Sequence, residues 1–81
     1  MVPTDEADRP DRTVIVNPRD LGAFLRRTRQ RRGITQEDLA ADLGISRFYL
    51  STMENGRPSL YTDRLFAAMR DLGIVLKAEA R

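Results

Sequence analysis

At 81 residues the chain makes one small domain, near the length at which a single apolar core becomes marginal. It holds no cysteine and no histidine, which excludes disulfides, thiolate or imidazole metal sites and any nucleophile–histidine pair. The net charge of +2 hides an asymmetry: residues 1–11 carry −3 and the rest +5, so the globular part suits a polyanionic partner.

Residues 1–12 (MVPTDEADRPDR) are polar, hold two prolines and lack periodicity, which predicts a disordered acidic tail ahead of a domain over residues 13–81. Residues 13–16 (TVIV) form a short β-branched run, stopped by Asn17-Pro18. Asn17 suits a helix cap, with Pro18 at the first helical position and Asp20 in the first turn. Leu21, Phe24, Leu25 and Thr28 share one face of this first helix, which should end at Gly33. Arg26, Arg27, Arg29, Arg31 and Arg32 crowd its second half. They read as a solvated face that complements the negative helix end, with one or two left over for phosphate.

Thr35, with Asp38 three residues on, marks the start of a second helix. Leu39, Ala40 and Leu43 supply its inner face, and Gly44 suits the left-handed turn that ends it. Ser46 caps a third helix at once, so Gly44 turns the chain sharply between two short, separately capped helices. The third helix should cover residues 47–55 and bury Leu50 and Met53, turning Arg47, Phe48, Ser51 and Thr52 outward. An outward phenylalanine favours a partner surface. Tyr49 sits on the boundary and is assigned to the edge of the core. Gly56-Arg57-Pro58 is a turn, and Ser59 caps a fourth helix with Leu65, Phe66, Met69 and Leu72 as core candidates, closed by Gly73. Residues 74–79 (IVLKAE) read as a strand with Ile74, Leu76 and Ala78 on one face.

The glycines are scattered like punctuation between elements, and no phosphate-binding loop is present. No apolar run approaches membrane-spanning length, and the acidic N-terminal stretch lacks the features of a signal peptide. A cytoplasmic protein without cofactor, metal or catalytic residues is expected, with no membrane partner.

Thr35-Gln36, Leu39-Ala40, Gly44-Ile45-Ser46, Leu50-Ser51 and Glu54-Asn55-Gly56 stand in the register of a helix-turn-helix, five matches over about 22 residues. In such a motif the first helix braces the second, which projects into a DNA major groove. At these residues the chain resembles the lambda-repressor-like (Cro/cI-type) family over roughly residues 18–73. The resemblance implies a mainly α, four-helix DNA-binding domain with a short C-terminal β-strand for dimerisation. It implies that Gln36 holds the DNA backbone and reaches toward the recognition helix, and that Ser46, Arg47, Phe48, Ser51 and Thr52 face DNA. It also implies an Arg29–Glu54 ion pair tying the first helix to the third. Arginine chemistry assigns Arg47 to a guanine edge, and Phe48 suits a thymine methyl. Gln36, Ser46, Ser51, Asn55 and Arg57 suit backbone positioning.

The flanking strand-like runs resemble those of HipB-type antitoxins, in which a C-terminal strand helps to build the dimer. The expected function is a sequence-specific double-stranded-DNA-binding transcriptional repressor. It would act as a homodimer on a palindromic operator, associated with the nucleoid, as the antitoxin of a HipBA-like toxin–antitoxin pair with a HipA-like kinase as partner. The alternatives are a stand-alone transcriptional regulator, or a protein-interaction module that neutralises a partner enzyme. Ile74 and Leu76 are the expected dimerisation residues, because residues 74–79 are too short to stand alone and follow a helical body without a sheet. A sheet shared across a two-fold axis is expected, against the alternative that the tail folds back within the monomer.

Overall fold

The computed structural model describes residues 11–81. In chain order these form β1 (Arg12–Ile15), α1 (Pro18–Arg31), α2 (Gln36–Leu43), α3 (Arg47–Glu54), α4 (Leu60–Asp71) and β2 (Leu76–Glu79). The architecture is mainly helical, with four helices and one two-stranded antiparallel sheet.

Local chemistry sets the helix starts. Asn17, Thr35 and Ser46 each accept a hydrogen bond from the backbone N–H three residues on, at 2.7, 3.1 and 2.9 Å. Asp20 returns the bond at α1, its carboxylate accepting from the N–H of Val16 at 3.1 Å. Ser59 and Thr62 form a reciprocal capping box at α4. Between α2 and α3, Gly44 takes φ +70° and the N–H of Ile45 reaches back to the carbonyl of Ala40 at 3.0 Å, closing α2.

The sheet differs from the expectation of a strand awaiting a second chain. β1 and β2 pair with each other in the register Arg12↔Glu79, Thr13↔Ala78, Val14↔Lys77 and Ile15↔Leu76. The N–H of Ala80 adds a bond to the carbonyl of Asp11 at 2.7 Å. The two runs lie at opposite ends of the described chain, but α1 and α4 return them to the same place. Each therefore satisfies one edge of the other inside the monomer. Arg12, expected in the tail, begins β1, and Asp11 accepts the bond from Ala80 just before it. The remainder of the expected tail lies outside the described residues.

Beneath the sheet, Ile15, Phe24 and Phe66 form the core cluster, with Met69, Leu76, Ala78 and Ala80 packed against it. Leu76 thus packs, partly buried, against its own core, whereas Ile74 precedes β2 and is half exposed. Leu50 and Ala40 fill the junction of α2 and α3. Several apolar residues assigned to the core lie outside it. Leu43, Met53, Leu65 and Leu72 are exposed, and on α3 the position buried beside Leu50 is Glu54. Met53 instead lines an open apolar groove of about 450 Å³ between α1, α3 and α4, with Leu21, Leu25, Tyr49 and Phe66. Among the described residues no helix is long and apolar enough to cross a membrane.

Candidate nucleic-acid interface

α2 and α3 meet at Gly44, and α1 packs across α3 from behind. The joint is electrostatic. The Arg29 guanidinium donates to both carboxylate oxygens of Glu54, at 2.6 and 3.1 Å, and its third nitrogen donates to the carbonyl of Ile34 at 2.8 Å. The side chains are only 10% and 1% exposed, so the pair lies largely out of water. The hydrogen bonds from Arg29 hold the Glu54 carboxyl below the usual carboxylate range against the opposing effect of burial, with help from Gln36 and the charge of Arg29. Glu54 in turn raises Arg29, again chiefly through the hydrogen bond.

The network continues outward to the exposed face. Gln36, at the start of α2, donates its amide to Glu54 Oε1 at 2.9 Å. Its carbonyl oxygen accepts from Arg47 Nε at 3.4 Å. A single line of polar contacts therefore runs from Arg29 through Glu54 and Gln36 to Arg47, the first residue of α3. The buried negative charge orients Gln36, which leaves only its oxygen for the exposed guanidinium. The partners on both sides agree on which amide atom is nitrogen.

Along α3, Arg47 and Phe48 are exposed, and Phe48 is 74% accessible. Ser51 is half-buried and its hydroxyl lies 3.4 Å from the amide of Asn55, which caps the helix from an exposed position. Ser46 is committed to the cap as an acceptor, but its hydroxyl hydrogen remains available to a phosphate. Arg57 is exposed in the turn after α3. Thr52 differs from expectation. Its hydroxyl donates to the carbonyl of Phe48 at 2.9 Å, and the side chain forms part of the groove wall, because position 52 shares a helix edge with Tyr49 and Met53. Tyr49 is 56% exposed on that wall rather than at the edge of the core.

Two shallow polar concavities flank the network. One holds Arg19, Ala23, Arg26, Gln30 and Asn55; the other holds Arg26, Gln36 and Arg47. Arg26 lines both, so the site includes a face of α1; it is one of the α1 arginines from which the sequence leaves one or two for phosphate, whereas Arg19 was not among them. Positions 19, 23, 26 and 30 follow helical spacing and mark this face in the sequence, though the neighbouring arginines obscure it. Arg27 makes a different contact: its guanidinium lies 5.8 Å from the ring centre of Phe24 and covers the core.

Known proteins supply the family at this point. The profile described as "Helix-turn-helix domain" matches residues 20–75, more than half of the chain. The chain belongs to the helix-turn-helix domain family. No curated protein and no solved structure matches it significantly. The match contains the whole polar network from Arg29 to Glu54 and the exposed face of α3, an arrangement that suits the helix-turn-helix domain to DNA.

Proposed function

We propose that this helix-turn-helix domain is a sequence-specific transcriptional repressor that binds double-stranded DNA as a homodimer on a palindromic operator. The observation that carries this reading is the positioning of Arg47. An exposed guanidinium at the first turn of α3 is held through Gln36 by a buried carboxylate, beside an exposed Phe48. Side chains at the start of a recognition helix are the ones that reach base edges. Arg47 is assigned to a guanine edge and Phe48 to a thymine methyl. Ser46, Ser51, Asn55, Arg57 and the α1 pair Arg19 and Arg26 are assigned to the phosphates on either side.

Arg47→Ala should relax sequence preference by about 1–3 kcal/mol of discrimination while leaving the helical content unchanged. Selection of binding sites from a random DNA pool, followed by titration of the selected and scrambled sites, measures it. Full preference retained by the variant would remove Arg47 from base reading. Arg26→Ala should weaken binding to all sequences alike and reduce the slope of log K against log salt by about one. An unchanged slope would place Arg26 outside the phosphate contacts.

A second reading is favoured by the apolar residues outside the core. Among the described residues twelve large hydrophobics are exposed against five apolar residues buried, more than a DNA-binding face uses. Such surface suits a protein partner in addition to DNA, and supports an antitoxin role in which the same chain binds a toxin. Purification of the chain with the product of a neighbouring kinase-like gene tests this. A pair that neither associates nor affects growth would leave the stand-alone regulator.

A further inference from the structure

α4 carries two apolar stripes where a helix on the surface of a small domain needs one. Phe66 and Met69 point into the core. Tyr61, Leu65, Ala68 and Leu72 form a second stripe and all four are exposed, Tyr61 and Leu72 at 74% and Leu65 at 43%. Their spacing of four, three and four residues is the seam spacing by which two helices pack side by side. Immediately beyond it in the chain, Ile74 and Val75 are 50% and 67% exposed.

We infer that this stripe is the interface with a second copy of the chain, α4 packing antiparallel on α4 of the other copy across a two-fold axis. The inference rests on the homodimer reading above and assigns its surface. The pattern is self-complementary when the second helix runs in reverse: Tyr61 meets Leu72, and Leu65 meets the small Ala68, which permits close approach. The charges select the same arrangement. Arg64 and Asp71, seven residues apart, occupy the same flank of the seam and are exposed, and neither has an ion-pair partner among the described residues. In an antiparallel pair this flank faces itself, so Arg64 of each copy lies beside Asp71 of the other. In a parallel pair it would face Thr62 and Met69, which offer no charge. A two-fold axis through α4 leaves the recognition side chains, which stand on α3, outside the helix pair.

The test uses the full chain in sedimentation equilibrium. Leu65→Glu places a charge in the middle of the seam on an already exposed position. It should raise the dimer dissociation constant on the order of a hundredfold with helical content retained. Arg64→Asp and Asp71→Arg should each weaken self-association several-fold, because each sets like charges opposite one another twice per dimer. Mixed in equal amounts, the two variants should associate as tightly as the original chain. In the mixed dimer the introduced carboxylate of one copy meets the introduced guanidinium of the other, and the remaining Asp71 meets the remaining Arg64. Recovery in the mixture also shows that both variants are folded. A mixture no tighter than either variant alone, or a Leu65→Glu chain that dimerises normally, overturns the assignment of this surface while the homodimer reading stands. An original chain that stays monomeric even on its operator brings down the homodimer reading and this surface with it.

Discussion

Glu54→Ala should destabilise the domain by about 3 kcal/mol, because it strands a charged Arg29 whose side chain is only 10% exposed. For a domain of this size the total stability is on the order of 4–12 kcal/mol, so the loss is a large share of it. Gln36 loses its acceptor in the same variant, and Arg47 loses the oriented oxygen behind it. DNA affinity measured under conditions where the variant is folded should therefore also fall. Urea unfolding gives the stability. A loss below about half a kilocalorie would mean that water reaches the pair and that it acts as a surface contact. Replacing Arg29 and Glu54 together by methionine should recover most of the stability, since both desolvation costs disappear with the attraction. The double variant should not recover the orientation of Arg47. The two replacements thus separate the stability role of the pair from its role in placing the recognition side chain.

The same carboxylate sets a pH dependence. Glu54 titrates below its ordinary range when folded, so the unfolded chain binds its proton first as pH falls. Its contribution to stability is complete above the ordinary glutamate value of about 4.3 and is lost as pH drops through the depressed folded value. The raised Arg29 stays protonated throughout this window and adds no slope of its own. Glu54→Gln should flatten this acid limb of the stability profile.

The helices were legible because their signals are local. Asn17, Thr35, Ser46 and Ser59 each cap with the backbone next to them, and neither tertiary packing nor a partner is needed to decide it. The failures begin where a residue has two faces to choose from. Leu65, Phe66, Met69 and Leu72 all lie at helical spacing, but they belong to two adjacent stripes, and only the fold shows that Phe66 and Met69 are the inner one. On α3, apolarity favours burying Met53, whereas the helix turns Glu54 inward. A carboxylate tolerates that position because Arg29 comes from another helix to meet it, a compensation 25 residues away in the chain. The strands show the same limit. The first run is recognisable by its β-branched residues and the second by the alternation of Ile74, Leu76 and Ala78, but the composition of a strand does not say whether its partner is in the same chain. Arg19 and Arg26 illustrate a different difficulty, a periodic face hidden among the other arginines of the same helix.

The largest steric effect should come from Gly56→Ala, which is best judged against Gly44→Ala. Both glycines hold a left-handed backbone, φ +62° and +70°, so the cost of placing a side chain in that conformation is common to the two. That cost is about 1–2 kcal/mol. Their surroundings differ. A Cβ on Gly44 meets nothing within 4 Å. A Cβ on Gly56 would overlap the Cα of Arg19, lie 2.6 Å from its nitrogen and 2.7 Å from the carbonyl oxygen of Pro18, all backbone atoms of the first turn of α1. Gly22 makes the matching contact from α1, where a Cβ would stand 2.5 Å from the carbonyl oxygens of both Met53 and Glu54. The two glycines therefore seat α1 directly on the end of α3, backbone against backbone, and neither side has a flexible side chain that could yield. Overpacking of this kind costs about 1–3 kcal/mol, and more where the backbone must shift. Gly56→Ala should thus lose about 2 kcal/mol more than Gly44→Ala in urea unfolding. It should also tilt α1 away from α3, pulling Arg29 off Glu54, so that its acid limb resembles that of Glu54→Gln. Equal losses for the two alanine variants would mean that α1 slides aside freely, and that the ion pair alone holds the recognition helix in place.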